Sequence, residues 1–511
     1  MDIDLAALPD NVETLQWMVR TLATERVDLA EAQAEIERLR LIVQKLQRSQ
    51  FGRRAERLDD DQLQFGFEDL HADIARVEAT LPSTTVKTPR SRPDRPSLPA
   101  HLPREDMRLD LKHQACPCCG GQLHAIGETV SEMLDHVPAR LRVIRICRPR
   151  YGCRACGTIH QAPAPERPIA KGLASPGLLA HVLVAKYCDH LPLYRQSQIF
   201  ARHGVEIDRS TLANWVGGAC WWLEPLQARL AEHVFASPKL FADDTPIPVL
   251  DPGRGRTKTG RLWVYARDDR PWSGPEPPAA VYFYSPDRKA ERPATHLQDF
   301  RGVLQVDGYA GFERLTMPGD IVLAACWAHA RRKFYDLHEA TGSPIAAEAL
   351  RRIAELYAIE RSIRGRIADA RRDVRNTSAR PLIEMMKPWL EKELGRVPPA
   401  GPLAEAIRYA LARWPALTRF LDDGRIELDN NPVERAIRPI ALGRKNHLFA
   451  GSDGGGVRWA TVCSLIATAK LNNVEPFAWL RDVLQRMTDG HPASRLDELL
   501  PWNWQPITAK A

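Results

Sequence analysis

The chain has 511 residues, of which 44% are hydrophobic, so it is too long for one core and predicts roughly three or four domains. Its net charge of +7 favours a polyanionic partner such as nucleic acid. No apolar run reaches the roughly 18 residues of a membrane helix, and the acidic start MDIDLAALPD is unlike a signal peptide. These features exclude membrane and secreted classes, and we expect a cytoplasmic, nucleoid-associated protein without a membrane partner.

A heptad pattern marks the amino-terminal helix. Apolar residues recur every seven positions, at Leu15, Leu22, Leu29, Ile36 and Val43. No glycine or proline interrupts the chain from Asn11 to Phe51. The pattern predicts a coiled coil over residues 11–60, more readily than a core helix. A coiled coil indicates a homo-oligomer, or pairing with a helical partner.

Prolines are frequent between residues 81 and 106, among serines, threonines and arginines. Such a segment cannot pack a core, and it predicts an extended linker. A different module is expected to follow it.

Two C-x-x-C-G knuckles follow the linker, and six of the ten cysteines lie in this part of the chain. CPCCGG supplies Cys116 and Cys119, and CRACG supplies Cys153 and Cys156. Two residues between thiolates let one tight turn present both sulfurs to a tetrahedral zinc ion. The spacing predicts a zinc ribbon over residues 107–165 with one structural Zn²⁺, the alternative being free buried thiols.

Three helices are predicted over residues 170–235, from LLAHVLVAKYC, YRQSQIFARHG and RSTLANWVGGACWWLEPL. Gly204 can end the second helix, and Asp208 or Ser210 can cap the third. Two helices joined by a glycine-containing turn are typical of a helix-turn-helix, in which Thr211 and Asn214 could enter a DNA major groove.

The same segment fits a purely structural bundle equally well. In that case the tryptophans of the third helix would pack into a core, namely Trp215, Trp221 and Trp222. The sequence leaves both interpretations open.

The periodicity changes to strands after residue 236. Five successive β segments are KLFADDTPIPVL, RLWVYARDD, AAVYFYS, GVLQVDGY and DIVLAACWAHARRKF. The first three are close enough to be antiparallel, and ERPATHLQDF can supply a crossover helix to the fourth, so the sheet is mixed. This order is that of a ribonuclease-H-like fold and predicts a catalytic domain over residues 236–460. Asp243 then lies on the first strand and Asp307 at the end of the fourth, which are neighbouring central strands.

A third acidic residue comes late, in DNNPVERAIRPIALGRKN. The long charged segment before it predicts a helical insertion at about 336–425 rather than a structureless loop. After it, Asn431 can cap a helix that starts at Pro432 and carries Glu434 in its first turn. The alternative is an ordinary surface pair of Glu434 with Arg438.

Basic residues surround this helix. Arg435 and Arg438 follow Glu434 on it, and Arg444 and Lys445 are expected just beyond its end. All four are candidate contacts to DNA phosphates. Residues 461–511 are expected to form a carboxy-terminal helical segment.

If the fold brings Asp243, Asp307 and Glu434 together, they form the oxygen-rich site that two Mg²⁺ ions need for cutting and rejoining phosphodiester bonds. Asp244 points to the opposite face of the first strand from Asp243, so only one of the two can meet Asp307. Cys326 and His329 in CWAHARRKF also suggest a metal site, but we predict a packed histidine at a buried strand end instead.

The chain resembles the insertion-sequence sixty-six family of bacterial DDE transposases nearly from end to end. The resemblance is carried by FGRRAER, the two cysteine knuckles, ADDTPIPVLDPGRGRTKTGRLWVY, QVDGYAGF, CWAHARRKF, DNNPVERAIRPIALGRKN, FAGSDGGG and LLPWNW. It implies that Asp243, Asp307 and Glu434 are the catalytic acids and that the four knuckle cysteines bind zinc. It also implies double-stranded DNA as partner, at the element ends and the target, and two small accessory proteins of the same element. Asp244 and Ala55 depart from the family, which more often has glutamate and serine there.

The sequence thus predicts a multidomain α+β protein that acts as an insertion-sequence transposase. Two other classes remain open. One is a zinc-ribbon, coiled-coil protein that binds DNA without catalysis, and the other is a ribonuclease-H-like nuclease that cuts DNA without joining it.

Overall fold

The computed structural model of the protein describes residues 141, 143–148, 150–152, 159–161, 163–170, 172–251, 255–316, 319–447 and 449–506. The predicted coiled coil, the linker and the four zinc cysteines lie outside the described residues, so what we expect of them remains a prediction. The described residues belong to two compact units, with those from 141 to 161 in one and those from 163 to 506 in the other. In the smaller unit, β1 (Arg150–Gly152) pairs antiparallel with β2 (Ile159–Gln161).

The larger unit is built on a mixed sheet of five strands. They are β3 (Lys239–Leu250), β4 (Thr257–Arg267), β5 (Ala279–Ser285), β6 (Gly302–Val306) and β7 (Ile321–Ala325). Their order across the sheet is β5-β4-β3-β6-β7. Neighbours are antiparallel among β3, β4 and β5, and parallel from β3 to β6 and from β6 to β7. The predicted mixed sheet is confirmed, but the fifth strand ends at Ala325, because CWAHARRKF turns into a helix.

Helices account for most of the remaining described residues. In chain order they are α1 (Pro176–Tyr187), α2 (Leu193–Arg202), α3 (Arg209–Phe235), α4 (Glu291–His296), α5 (Ala310–Glu313), α6 (Trp327–Thr341), α7 (Pro344–Ile363), α8 (Ala368–Val374), α9 (Arg380–Leu394), α10 (Pro402–Ala412), α11 (Trp414–Thr418), α12 (Asn431–His447), α13 (Asp453–Leu471) and α14 (Pro476–Thr488). One hydrophobic core joins α1 to α3, the sheet, α12 and the carboxy-terminal helices. The helices between β7 and α12 build most of a second core.

The three helices predicted before the sheet are present as α1, α2 and α3. Gly204 follows α2 with a φ of +75°, a left-handed conformation that favours glycine, and Asp208 is the residue before α3. Trp215 is buried, but Trp221 is 64% exposed. The bundle interpretation was therefore wrong for Trp221, because this side chain lies on the solvent face of the long α3.

The outer edge of the sheet is covered by side chains of α13. The β5 backbone N–H of Tyr282 donates to Ser464 Oγ at 2.9 Å. Thr468 Oγ1 accepts from Ala280 N at 3.1 Å and donates to Ala280 O at 3.2 Å. These hydroxyls take the place of a further strand, so the edge is not open to pairing with another chain.

We expect Thr468→Val to lower the free energy of unfolding by about 2 kcal/mol, because it leaves a buried N–H and C=O of β5 without partners. Urea denaturation measures the loss. The matched control is Thr341→Val, whose exposed hydroxyl bonds only to Leu337 O in its own helix and should change stability by less than about 0.5 kcal/mol. Equal losses in the two variants would show that the edge contact contributes nothing.

Two buried arginines tie the helical insertion to the segment that leads into α12. Arg375 donates to both carboxylate oxygens of Glu360 and to three backbone carbonyls, those of Phe420, Asp423 and Ile426. Arg371 bridges Glu360 and Glu427. The insertion therefore supports the chain just before the helix that carries Glu434.

Among the helices that the structure describes, none is long and apolar enough to cross a membrane.

Candidate active site

Three parallel strands place chemically active residues in one row. Ala242, Val306 and Ala325 are register partners across β3, β6 and β7. The residue after each of them is Asp243, which is still in β3, Asp307, which directly follows β6, and Cys326, which directly follows β7. Neighbouring strands lie about 4.8 Å apart, and ligands of such sheets bind outside the carboxyl ends of the parallel strands. The fold thus makes Asp243 and Asp307 neighbours, and adds Cys326 beside them.

Asp243 lies on the face of the sheet that α12 covers. Residues alternate between the two faces of a strand, so Asp243 shares its face with Thr245. Thr245 Oγ1 accepts a hydrogen bond from Arg444 of α12. Asp243 therefore faces the helix that carries Glu434.

Asp244 lies on the opposite face and has other partners. Its carboxylate is fully buried and accepts from Arg261 Nη1 at 2.9 Å and from Arg288 Nη2 at 2.8 Å. Burial raises the pKa of the Asp244 carboxyl, the guanidinium groups of Arg288 and Arg261 partly oppose that rise, and the charge of Asp307 adds to it. This face is covered by Tyr309, which packs on the ring of Trp263. Asp244 is thus the centre of an ion-pair cluster.

Hydrogen bonds from its own loop and from the helical insertion hold Asp307 and the residue after it. Tyr309 N donates to Asp307 Oδ1 at 3.0 Å. Tyr409 OH, from α10 of the insertion, donates to Asp307 O at 3.2 Å, and Arg413 Nη2 donates to Gly308 O at 3.3 Å. Gly308 has a φ of +105°, and a side chain there would lie 3.0 Å from Arg413 Nε. The insertion therefore helps to hold the turn that presents Asp307.

Glu434 is in the first turn of α12 and is only 7% exposed. A surface pair with Arg438 does not fit this burial. The backbone N–H of Glu434 donates to Asn430 O at 3.2 Å, and the helix begins at Asn431, one residue before the predicted start at Pro432. Glu434 is thus a buried residue at the start of α12.

The segment before α12 is bonded to β6, to β3 and to the start of α6. Gln305, two residues before Asp307, donates to Glu427 O at 2.7 Å and to Asp429 O at 2.8 Å. Asn430 Nδ2 donates to Ala242 O at 3.1 Å. Trp327 N, at the start of α6, donates to Leu428 O at 2.8 Å. These bonds fix the start of α12, and with it the backbone of Glu434, relative to Asp243 in β3 and Asp307 after β6.

Glu434 has two neighbours that sequence reasoning did not assign to the site. One ligand atom each from Cys326, His329 and Glu434 lie within 4.8 Å of one another. Cys326 Sγ also accepts from Asn430 N at 3.3 Å, and burial raises the pKa of this thiol well above its ordinary value. The prediction of a packed histidine therefore describes His329 only in part, because a thiol and a carboxylate lie close to its ring. The sequence feature that could have indicated this cluster is the C-x-x-H spacing of Cys326 and His329 directly after a parallel strand.

The candidate DNA contacts have different surroundings. Arg435 is exposed and Arg438 half-buried on α12. Because α12 runs to His447, Arg444 and Lys445 are inside the helix and not beyond its end. Arg444 is buried against Thr245, so it does not face solvent. On α3, a different helix, Thr211 is half-buried and Asn214 exposed.

Asp429 gives this region a pH dependence. Burial, followed by the charge of Glu427, raises its pKa from 3.8 to about 6. An acid with a raised pKa binds more protons in the folded state, so its stabilising contribution is complete below the unfolded pKa and is lost as the pH rises through about 6.

We therefore expect Asp429→Asn to raise the free energy of unfolding by about 2 kcal/mol at pH 8 relative to the parent chain, since the amide needs no buried charge. The asparagine can still accept from Asn431 N, as Asp429 does at 3.2 Å. Urea denaturation at pH 4 and pH 8 measures the effect. A difference that is the same at both pH values would contradict it.

Comparisons with known proteins cover nearly the whole chain. Residues 171–458 match the family described as Transposase IS66 family, and residues 464–502 match the IS66 C-terminal element. Residues 113–157 match the zinc-finger binding domain of transposase IS66, a range that contains all four predicted zinc ligands. Residues 38–107 match a domain described as transposase C of IS166 homeodomain, which overlaps the predicted coiled coil.

Three similar proteins come from Sinorhizobium fredii, and each is named only as an uncharacterized protein. The protein y4qI is 42% identical over 536 residues, which cover 99% of this chain and 99% of y4qI. The protein y4jD is 48% identical over 416 residues, 80% of this chain and 81% of y4jD. The protein y4hP is 41% identical over 496 residues, 92% of this chain and 89% of y4hP. The similarity thus extends over the amino-terminal modules as well as the sheet.

Proposed function

The chain belongs to the Transposase IS66 family, and we propose that it binds the ends of an insertion sequence and performs both strand cleavage and strand transfer at one two-metal site. The proposed catalytic residues are Asp243, Asp307 and Glu434. The observation that carries the proposal is that Asp243 and Asp307 follow register partners of β3 and β6, while the segment before α12 is bonded to β6, to β3 and to the start of α6.

The strand order supports a ribonuclease-H-like catalytic domain. Three antiparallel strands are followed by two parallel ones in the order β5-β4-β3-β6-β7, and the first acid lies on the central β3 beside β6. In this proposal, β3 and β6 present two acids on neighbouring strands and α12 presents the third. The helices between β7 and α12 are an insertion into that domain.

The donor set fits two magnesium ions. Hard divalent cations prefer carboxylate oxygens, and in this proposal Asp243, Asp307 and Glu434 supply three carboxylates to one edge of the sheet. When bound, the ions would lower the pKa of an attacking water or DNA 3′-hydroxyl and stabilise the leaving 3′-oxygen.

The protein's own residues have supporting roles in this proposal. Tyr309 N and the backbone contacts of Tyr409 and Arg413 hold Asp307 and its turn in place. Arg435, exposed and next to Glu434, is placed to contact a DNA phosphate beside the cut. No side chain is assigned as a nucleophile, because water and the DNA hydroxyl serve that role.

The amino-terminal modules would recognise DNA and assemble the complex. The zinc-finger match supports one structural Zn²⁺, which we assign to Cys116, Cys119, Cys153 and Cys156. A coiled coil over residues 11–60 would join copies of the chain, so that two element ends are held together. Thr211 and Asn214 are proposed contacts to double-stranded DNA on α3, and two small accessory proteins of the same element would complete the machinery.

Strand transfer tests the proposal against a plain nuclease and a DNA-binding protein. Labelled, precleaved element-end DNA is incubated with supercoiled plasmid, the full chain and Mg²⁺. We expect label covalently joined to plasmid, and no joining by Glu434→Gln. Hydrolysed label without joined product would identify a nuclease, and binding that is equal in both proteins without any cleavage would identify a DNA-binding protein.

A further inference from the structure

The C-x-x-H segment after β7 contributes a thiol and an imidazole that the proposed reaction does not use. Cys326 directly precedes α6 and His329 lies in its first turn, while Glu434 lies in the first turn of α12. The two segments are more than a hundred residues apart, and the fold brings one ligand atom of each of the three side chains within 4.8 Å of the others. The cluster is therefore a product of the tertiary structure.

The spacing of these atoms is close to that of ligands around one metal ion. His329 Nδ1 lies 3.9 Å from Glu434 Oε1, which is too long for a hydrogen bond. Nitrogen and oxygen ligands about 2.1 Å from a tetrahedral zinc-class ion lie about 3.4 Å apart, and a sulfur at about 2.3 Å lies about 3.6 Å from either. A side-chain shift of about 0.5 Å would thus bring the pair to coordination distance.

The burial of the cluster also points to a cation. Cys326 is 2% exposed and Glu434 is 7% exposed. His329 Nδ1 is buried and has no hydrogen-bond partner among the described residues, although 20% of the side chain remains exposed. A buried ring nitrogen without a partner costs free energy, which a bound cation would offset. The exposed part of the imidazole provides an entry path.

We propose that Cys326, His329 and Glu434 bind a single transition-metal ion of the zinc class. Sulfur, imidazole nitrogen and carboxylate oxygen together are ligands that Zn²⁺ and Co²⁺ accept, whereas Mg²⁺ prefers oxygen alone. Binding converts the neutral Cys326 thiol to a thiolate and releases its proton to solvent, and a water molecule takes the fourth position. An ion held here occupies Glu434, so it competes with Mg²⁺; this consequence rests on the proposed function, while the binding itself does not.

Cobalt titration of the full chain tests the binding. The zinc ribbon is first filled with Zn²⁺, which stays bound because it binds more tightly than Co²⁺. We expect one further Co²⁺ per chain, with a near-ultraviolet absorption from thiolate-to-cobalt charge transfer. Cys326→Ser should lose this absorption. His329→Ala should weaken binding by more than about a hundredfold, since removing a group that only orients a ligand already costs about tenfold to a hundredfold.

Cys463→Ser is the matched control, because Cys463 is another buried free cysteine, on α13. This variant should keep both the stoichiometry and the absorption of the parent chain. The same cobalt spectrum in the parent, Cys326→Ser and His329→Ala would overturn the proposed site. His329 is partly exposed, so its variant should fold even if Cys326→Ser does not.

Zinc inhibition tests the competition for Glu434. Zn²⁺ is titrated into the Mg²⁺-dependent cleavage reaction, and each rate is divided by that variant's own rate without Zn²⁺. We expect the half-inhibiting Zn²⁺ concentration to rise more than about tenfold in His329→Ala. Unchanged inhibition would overturn the competition. Cobalt binding without any DNA cleavage would instead contradict the proposed function and leave the metal site standing.

Discussion

Asp243→Asn is expected to slow Mg²⁺-dependent DNA cleavage by at least about a thousandfold, whereas Asp244→Asn should slow it far less. The reason is that the two carboxylates face opposite sides of β3. Asp243 lies on the face of β3 that carries Thr245 and is covered by α12, while Asp244 is bound to Arg261 and Arg288. Single-turnover cleavage rates measure the difference.

We expect the opposite order for the free energy of unfolding, which Asp244→Asn should lower more than Asp243→Asn. Asp244→Asn leaves the guanidinium groups of Arg261 and Arg288 without a charged partner. Their side chains are 21% and 41% exposed, so we expect a loss of about 1 to 2 kcal/mol rather than the larger cost of a fully buried pair. Asp243→Asn removes a buried charge beside Asp307 and should leave stability unchanged or higher. If Asp243→Asn cleaves normally while Asp244→Asn is inactive, the assignment of the first ligand is wrong.

Arg375→Leu is expected to lower the free energy of unfolding by at least about 3 kcal/mol. Arg375 is fully buried, and its removal leaves Glu360 with fewer partners and takes the guanidinium donor from the carbonyls of Phe420 and Ile426, while Asp423 O keeps the backbone N–H of Ile426. Because these carbonyls belong to the segment before α12, amide hydrogen exchange should also become faster over residues 420–428.

Arg372→Leu is the matched control for this prediction. Arg372 lies on α8, three residues before Arg375, but its side chain is 44% exposed and pairs with the exposed Asp369 and Asp373. We expect a change below about 0.5 kcal/mol. Similar losses for Arg375→Leu and Arg372→Leu would mean that the buried network does not support this part of the fold.

The two aspartates could be predicted from the sequence because Asp243 follows the apolar residues LFA in β3 and Asp307 follows the short β6. Such a strand is buried in a parallel sheet, and its end lies at the edge where ligands bind. The choice of Asp243 over Asp244 needed the structure for its physical support. Strand alternation separates the two residues, but only the bond from Arg444 to Thr245 shows which face α12 covers.

Other features depend on contacts between distant segments, which local patterns do not encode. His329 meets Glu434 only because α6 and α12 start at the same end of the sheet. Trp221 looked like a core residue because a tryptophan is apolar, yet 64% of it is exposed among the residues that the structure describes. Arg444 looked like a DNA contact because it is basic, but α12 continues past it and turns it toward Thr245.

The position of the metal ions tests the central claim most directly. Crystals of the full chain with element-end DNA and Mn²⁺ can be examined by anomalous scattering at the manganese edge. We predict two peaks about 3.5 to 4 Å apart, contacted by Asp243, Asp307 and Glu434, with none at Asp244. A manganese peak at Asp244, or none between Asp243 and Asp307, would contradict the two-metal site.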